Sequence, residues 1–304
     1  MAATDPHRDY QAGAIDPPHT SDDVIVPPIF PDTLPVREDV ALYYDEISRF
    51  DDYIGKVVRK LSEQGALDET FILFISDNGR PFPRCKTTVY EDGVRTPFIV
   101  RFPPLVKAGG ISQSVVSTVD IAPTILELAG LSPAAVLPDR LQGSSFAAVL
   151  RDPSQSTREF AFSEHNWHDY RAFERGVCDG RFRLVRNWLT DLPCTPPADA
   201  VRSPTYAEMQ RLRQSGELTE PQRLVFDTPR RKVELYDVDR DPNCLHDLAD
   251  SEEHRGDLRR LRTALDAWQV ETHDEFPADA LTPDRFDRET GRPIAQQRRD
   301  RPRL

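Results

Sequence analysis

The feature that constrains this chain most is a continuous apolar run at residues 71–75, which ends abruptly in Ser76, Asp77, Asn78 and Gly79. An uninterrupted apolar run bounded by turn residues is typical of a strand that is covered on both faces. In open α/β sheets, ligands bind beyond the carboxyl ends of the strands. We therefore expect Asp77 and Asn78 to point into a crevice.

The segments around this run alternate between helix and strand. Apolar residues recur at steps of three and four over residues 43–61 and predict an amphipathic helix, with Gly65 placed to end it. Residues 96–100 predict a second strand. A further helix is predicted to begin at Asp120 and to end at Gly130. This alternation predicts an α/β domain.

The pattern changes after residue 150. Short strand-like pieces occur at residues 160–163, 182–185 and 233–236. They are followed by a helix with one apolar face, formed by Leu258, Leu261, Leu265 and Trp268. Separate strands followed by a helix predict a smaller α+β unit.

We therefore divide the chain into three parts. Residues 1–150 are expected to form the α/β part, and residues 151–287 the smaller α+β subdomain. Residues 288–304 are rich in arginine and have almost no apolar periodicity. We expect this last part to be a solvated or disordered tail rather than a binding arm.

The overall composition argues against several classes of function. The 304 residues carry a net charge of -12, and the isoelectric point is near 5.1. Nucleic acids and anionic membranes both favour a basic surface, so neither is an expected partner. No run approaches the roughly 18 apolar residues of a membrane span. Residues 1–6 do not resemble an export signal, and the compartment stays open.

Asp77 and Asn78 allow two interpretations. A carboxylate beside an amide carbonyl at a strand end would supply two oxygen ligands to a hard divalent cation such as calcium. Alternatively, an Asp-Asn-Gly sequence is turn chemistry, in which both side chains bond to the local backbone. The three residues alone leave both interpretations open.

The segment that follows favours a binding site. Residues 81–86 form a stiff, proline-containing loop that would bring the ammonium group of Lys86 back over the strand end. Residues 90–97 then lead through an acidic, glycine-containing turn into the next strand. In order and spacing, residues 76–97 resemble the sulfatase family, in which a strand and Asp-Asn-Gly precede a short loop ending in Lys or Arg.

Other segments narrow the resemblance to the branch of that family that acts on heparan N-sulfate. They are spread over nearly the whole chain, at residues 5–8, 26–33, 81–83, 203–205, 234–237 and 267–274. The resemblance implies an α/β, alkaline-phosphatase-like sulfatase fold, here with an incomplete central sheet, and a smaller C-terminal α+β subdomain. It also implies a sulfated carbohydrate as the substrate.

The resemblance further implies roles for individual residues. Asp77 and Asn78 match ligands of the family's calcium ion. Lys86 matches the cation on the sulfate oxygens, and His7 matches the active-site histidine. A metal and an ammonium group would neutralise charge on a sulfuryl group during its transfer. An imidazole can protonate a departing amine or hydroxyl near neutral pH.

Two further residues have open alternatives. His165 falls where the family's C-terminal unit approaches the cleft, and it could contact a sugar or be a structural or surface histidine. Arg8 could hold a carboxylate or sulfate of the glycan, or it could pair with a local acid. Both residues are retained as candidate substrate contacts.

The family's nucleophile is missing from this sequence. It is a formylglycine made from the first residue of a Cys/Ser-x-Pro/Ala-x-Arg motif, and no such motif occurs here. Cys194 precedes a suitably placed proline but lacks the arginine, and Cys85 belongs to the loop before Lys86. The paired aspartates that complete the family's calcium site are also absent. We therefore expect a sulfatase whose start was assigned too late or whose gene is truncated, with little activity in isolation.

The function expected of the intact protein is hydrolysis of a sulfate ester or sulfamate on a sugar. Two alternatives stay open. One is a phosphate or phosphonate ester hydrolase of the same superfamily, which shares the metal-and-nucleophile chemistry. The other is a non-catalytic remnant that binds glycans through the C-terminal unit.

Overall fold

The structure is a computed structural model and describes residues 3–136, 141–277 and 280–295. The strands are β1 (Ile72–Ile75), β2 (Phe98–Arg101), β3 (Ala161–Trp167), β4 (Arg171–Cys178), β5 (Phe182–Asn187) and β6 (Val233–Asp237). The helices are α1 (Leu34–Glu63), α2 (Glu91–Val94), α3 (Ile121–Leu128), α4 (Pro133–Val136), α5 (Ala147–Arg151), α6 (Ala198–Val201), α7 (Pro204–Ser215), α8 (Glu220–Arg223) and α9 (Arg255–Glu271). Short 3-10 turns occupy Leu67–Glu69 and Thr118–Asp120.

The predicted helix before the apolar run is present as α1. It is followed by Gly65 with a φ of 68°, a left-handed conformation that suits glycine and ends a helix. Its burial differs from the expected pattern. Val36 and Val40, in the first two turns, are buried, whereas Ile47 and Val57 on the predicted apolar face are each 41% exposed.

The apolar run forms β1, which pairs only with β2 in the part of the chain that the structure describes. The two strands are antiparallel, with Ile72 opposite Arg101 and Ile75 opposite Phe98. The expectation of a strand covered on both faces is wrong here, because all four residues of β1 are only half-buried. The central sheet is therefore incomplete, as the sequence predicted.

The helix predicted at Asp120 is confirmed as α3. The Asp120 side chain accepts a hydrogen bond from the backbone N–H of Ser117 at 2.8 Å, as part of a capping box that precedes the helix. The helix ends before Gly130, which has a φ of 77°. Local sequence signals thus set both ends of this element.

The C-terminal part contains a four-stranded antiparallel sheet in the order β3-β4-β5-β6. The helix α9 packs on it through Leu261 and Leu265, which form one apolar cluster with Val177, Leu184 and Leu235. Burying such side chains contributes about 1.5–3 kcal/mol each. This arrangement agrees with the predicted smaller α+β unit, although β4 was not predicted.

One apolar cluster crosses the division placed at residue 150. It contains Val36 and Val40 of α1, Phe82 of the loop after β1, and Met209 and Phe226 of the later part. The two parts therefore share a core, and their separation into units of 1–150 and 151–287 stays a prediction.

The expected basic tail is partly packed. Arg288 forms an ion pair with Asp284 at 2.7 Å, and the carbonyl oxygen of Gly291 accepts a hydrogen bond from Arg202 at 2.8 Å. Residues 288–295 are thus held against the protein by these contacts, in contrast to the solvated tail expected there. Residues 296–304 lie outside the described part. Across the described residues, none of the helices combines the length and the apolar character that crossing a bilayer requires.

Candidate active site

The segment after β1 folds back on itself as a buried loop, residues 80–90. The carbonyl oxygen of Arg80 accepts hydrogen bonds from the backbone N–H of Phe82 at 2.8 Å and of Lys86 at 3.0 Å. At the base of the loop, the N–H of Gly79 donates to the carbonyl oxygen of Gly93 at 2.9 Å. These bonds return the backbone of Lys86 to Arg80, shortly after β1, while the predicted position of its ammonium group over the strand end stays a prediction.

Two glycines permit this close return. A Cβ atom at Gly79 would lie 1.8 Å from the carbonyl oxygen of Asp92, and one at Gly93 would lie 2.4 Å from that of Thr88. No side chain fits at such distances, so the loop needs glycine at both positions. These glycines set the spacing between the strand end and the α2 turn.

Two residues of the loop have left-handed backbone conformations without being glycine. Arg84 has a φ of 59° and Thr87 a φ of 64°, on either side of Lys86. Such conformations cost of order 1–3 kcal/mol each and persist only where the surroundings enforce them. The backbone on both sides of Lys86 is therefore strained, as is common at functional sites.

Arg84 holds the loop against the C-terminal part. Its guanidinium donates hydrogen bonds to the carbonyl oxygens of Asn243 and Cys244, both at 2.8 Å, and stacks 3.9 Å from the ring centre of Tyr90. Although burial works against its charge, interactions with acidic side chains around it, first of all Tyr90 and Tyr236, raise the pKa of Arg84 above its ordinary value. The loop is thus held in place by the charged guanidinium of Arg84, which forms hydrogen bonds and a stacking contact within the protein.

Lys86 differs from the other buried cations. Its side chain is only 8% exposed, and within the described residues its ammonium group has no ion pair and no hydrogen bond. By contrast, Arg8, Arg175 and Arg183 all pair with carboxylates. A cation on a largely buried residue with no protein partner is suited to pairing with an anion.

Asp77 and Asn78 make the local bonds of a turn. The Oδ1 of Asp77 accepts a hydrogen bond from the N–H of Asn78 at 2.9 Å, and the Nδ2 of Asn78 donates to the carbonyl oxygen of Gly79 at 2.8 Å. Both side chains therefore make the local hydrogen bonds expected of a turn. These bonds do not use the second carboxylate oxygen of Asp77 or the amide oxygen of Asn78.

These two oxygens fit a calcium ion as part of its ligand set. Calcium takes 6–8 oxygen ligands, and the two residues would supply two of them. No group of three or more His, Cys, Asp or Glu residues that could hold a metal occurs within residues 3–136, 141–277 and 280–295. Asp77 and Asn78 have suitable chemistry but make an incomplete site on their own.

Arg8 pairs with a local acid, which is one of the alternatives that the sequence left open. Its two Nη atoms donate to the carboxylate of Asp39 at 2.8 and 2.7 Å, and its Nε donates to the carbonyl oxygen of Pro81 at 2.9 Å. The guanidinium also stacks on Phe82 at 4.6 Å from the ring centre. All three nitrogens are engaged within the protein, so Arg8 connects the N-terminal segment to the loop before Lys86.

Arg8 contacts the loop before Lys86, whereas the side chain of its neighbour His7 lies beside Asp199. The His7 side chain is 52% exposed, and its Nε2 lies 3.8 Å from the Oδ2 of Asp199, an oxygen that has no hydrogen-bond partner within the described residues. An exposed imidazole near a carboxylate can exchange protons with a ligand. The position is compatible with a general acid, with Asp199 as its orienting group.

His165 lies on β3 beside a small cavity on the other side of the loop. Its Nδ1 is 3.8 Å from the Oε2 of Glu174, which is longer than a hydrogen bond. Thr87, the residue after Lys86, also lines this cavity, together with Glu174, Asn187 and Arg230. Sequence analysis missed these four residues, because they come from separate strands and loops with no shared local motif.

The cysteines are unsuited to nucleophilic chemistry. Cys85, Cys178, Cys194 and Cys244 are all free and buried. Burial raises the pKa of the Cys85 thiol to about 12, against the opposing charge of Arg80. A thiol that stays protonated is a weak nucleophile, which agrees with the inert role expected of Cys85.

Comparison with known proteins shows which families and individual proteins this chain is similar to. The Sulfatase family matches residues 3–131, and the C-terminal family of N-sulphoglucosamine sulphohydrolase matches residues 84–195. The chain is 33% identical to an ulvan-active sulfatase of Formosa agariphila over 82% of its own length and 41% of the relative. It is also 33% identical to human N-sulphoglucosamine sulphohydrolase, over 84% of its length and 52% of the relative.

A solved structure supports the fold. A protein in complex with its substrate D-glucosamine-2-N,6-O-disulfate aligns with a TM-score of 0.58 and 22% identity, over 80% of this chain and 42% of that protein. The fold is that of the alkaline-phosphatase-like hydrolases. The chain belongs to the sulfatase family, and it spans about half the length of the curated relatives it matches.

Proposed function

We propose that this chain supplies the strand-end and loop residues of a sulfatase active site, and that the whole protein hydrolyses sulfate from sulfated sugars. The observation that carries the proposal is Lys86, a largely buried residue whose ammonium group has no protein partner within the described residues and which lies on a loop tied back to Arg80 after β1. A sulfate oxygen is the kind of partner that such a group requires.

Lys86 would bind the oxygens of the sulfuryl group and neutralise the charge that develops on them. Asp77 and Asn78 would contribute two ligands to a calcium ion. When bound, that ion would supply Lewis-acid stabilisation of the same oxygens. The loop excludes water from much of Lys86, and this strengthens its interaction with the anion.

His7 would act on the leaving group. Its imidazole is exposed toward solvent near Asp199, so it can accept a proton and deliver it to the departing amine or hydroxyl of the sugar. Asp199 would hold the ring in place and stabilise its protonated form. This role requires the substrate to lie between His7 and Lys86.

The chain itself contains no candidate for the nucleophile. The four cysteines are buried, and the formylglycine motif does not occur in the sequence. We therefore propose that this chain binds the substrate but does not turn it over alone. Assays with an aryl sulfate and with glucosamine N-sulfate should give no turnover, and measurable turnover would overturn this part of the proposal.

The substrate class is supported by the relatives, whose names include an ulvan-active sulfatase and N-sulphoglucosamine sulphohydrolase. Calorimetry with inorganic sulfate and with phosphate, each with and without calcium, tests the proposal against its rivals. We expect sulfate to bind and calcium to tighten its binding. Preference for phosphate would favour an ester hydrolase of phosphate, and binding of heparin fragments that ignores calcium would favour a non-catalytic glycan binder.

A further inference from the structure

A small cavity lies between the loop after β1 and the C-terminal sheet. Its volume is about 20 Å³, enough for one water molecule or one ligand hydroxyl. Polar residues on its walls include Thr87, His165, Glu174, Asn187 and Arg230. Because consecutive Cα atoms are about 3.8 Å apart, Thr87 places one wall of the cavity next to Lys86.

The cavity is surrounded by polar atoms without partners. Both ring nitrogens of His165 and the Nδ2 of Asn187 are buried and form no hydrogen bond within the described residues. Asn187 is only 1% exposed, and its Oδ1 is already used by the N–H of Leu189 at 2.9 Å. More than about nine in ten buried polar groups find a partner, so three unpartnered atoms around one cavity indicate a missing group.

Two of the charged residues beside the cavity, Glu174 and Arg230, pair with each other. Burial tends to raise the pKa of Glu174, but the guanidinium of Arg230, with help from His165, lowers it to about 2. Arg230 donates to Glu174 and also to the hydroxyl of Tyr90 at 3.2 Å. Arg288 is paired with Asp284. Arg171, which also lines the cavity, has no ion pair within the described residues, so one cation of the lining is left unpaired.

We infer that this cavity is a subsite for a hydroxyl group of the sugar whose sulfate lies at Lys86. A neutral imidazole offers one donor and one acceptor, and the amide nitrogen of Asn187 offers a donor. A hydroxyl is itself both donor and acceptor, so it can satisfy His165 and Asn187 together. The inference rests on the proposed function, because Lys86 would fix the distance between the sulfate and this hydroxyl.

The subsite confers specificity for a hydroxylated sulfate ester over a bare sulfate anion. A site with buried polar groups disfavours a ligand that leaves those groups unpaired. His165 and Asn187 would thus be specificity-determining residues. Lys86 would bind sulfate whether or not a sugar is attached.

The test uses the whole chain, with titrations followed by nuclear magnetic resonance. The probes are N-sulfoglucosamine, which carries a sulfuryl group and hydroxyl groups on one sugar, and inorganic sulfate, which carries no sugar. His165→Phe removes both ring nitrogens but keeps a planar ring of similar size. His168→Phe is the matched control, because His168 is half-exposed, pairs with Asp169 and does not line the cavity.

We expect His165→Phe to weaken N-sulfoglucosamine binding about tenfold, the loss of one good hydrogen bond, and to leave sulfate binding unchanged. The melting temperature should fall only slightly, because the one close charged neighbour of the His165 ring is Glu174, at 3.8 Å, and Glu174 keeps its ion pair with Arg230. Asn187→Leu should act in the same direction on the sugar. His168→Phe should change neither probe.

The outcomes separate this inference from the proposed function. Unchanged sugar affinity in His165→Phe overturns the subsite, while sulfate binding at Lys86 still stands. If sugar binding depends on His165 but inorganic sulfate does not bind, the subsite is supported and the proposed role of Lys86 is overturned. If neither probe binds, both are overturned. If a crystal structure of the sugar complex shows a water molecule in the cavity and no sugar hydroxyl there, the cavity is an ordered-water site only. That result would also overturn the subsite.

Discussion

Glu91 and Arg183 form a buried ion pair, with 2.7 Å between the Oε2 of Glu91 and the Nη2 of Arg183. Glu91 begins α2 after the Lys86 loop, and Arg183 lies on β5 of the C-terminal sheet. Both side chains are less than 10% exposed. The loop that carries Lys86 is therefore anchored to a part of the chain about 90 residues away in sequence.

Removing one member of this pair should be costly. Glu91→Gln leaves Arg183 buried without its counter-charge, and we expect a loss of about 3–5 kcal/mol in the free energy of unfolding. Urea unfolding measures the change. The double substitution Glu91→Met with Arg183→Met should cost less than either single change, and a double variant as unstable as the sum of the two would contradict the buried-pair explanation.

Gly79 should tolerate no side chain. A Cβ atom there meets the carbonyl oxygen of Asp92 at 1.8 Å, so Gly79→Ala forces the backbone apart, and we expect a loss of about 1–3 kcal/mol. Gly256→Ala is the matched control, because Gly256 lies in α9 with open space around it. That control should be neutral or stabilising by up to about 1 kcal/mol, and equal effects of the two substitutions on thermal unfolding would argue against the close approach.

Glu174 should make stability depend on acidic pH. Burial alone would raise its pKa, but Arg230 and His165 together outweigh burial and lower the pKa in the folded protein to about 2, below the ordinary value of 4.5. A lowered pKa contributes stability above pH 4.5 that is lost as the pH falls from about 4.5 to about 2, in total about 3 kcal/mol. Unfolding free energies measured from pH 6 to pH 2 should fall less steeply in Glu174→Gln than in the wild type. Equal slopes would contradict this assignment.

Local signals in the sequence were sufficient for several elements. The periodicity over residues 43–61 and Gly65 defined the end of α1. Asp120 marks the start of α3 as predicted, although its side chain caps the preceding 3-10 turn and not α3 itself. The ends of helices depend on a few neighbouring residues, and these are visible in a single sequence. The return of the Lys86 backbone to Arg80, shortly after β1, was predictable for a similar reason, because its proline-containing loop is short.

Contacts between distant residues were not predictable. The strand β4 contains Glu174 and Arg175, which break the apolar pattern, yet both are buried because Arg230 and Asp274 pair with them. Nothing in the local sequence identifies those partners. The same applies to Asn187, whose position beside His165 follows only from the alignment of β3, β4 and β5 in one sheet.

The half-exposed face of α1 shows another limit of periodicity. The pattern correctly predicted an apolar face, but it does not show what covers that face. Ile47 and Val57 stay 41% exposed in the described structure, and the ring of Phe50 lies 5.9 Å from that of Phe74 of β1, centre to centre. An apolar pattern therefore identifies a surface suited to burial, but it does not identify the element that covers that surface.

The most direct test of the central claim, that Lys86 is the cation for a sulfate group, is the affinity of inorganic sulfate for Lys86→Met measured by calorimetry. Lys86→Arg should keep most of the affinity, and Lys56→Met should change nothing, since Lys56 is exposed and pairs with Asp52. We predict that Lys86→Met weakens sulfate binding by about 10–100-fold, the value of a hydrogen bond to a charged group. Sulfate binding equal to that of the wild type would contradict the claim.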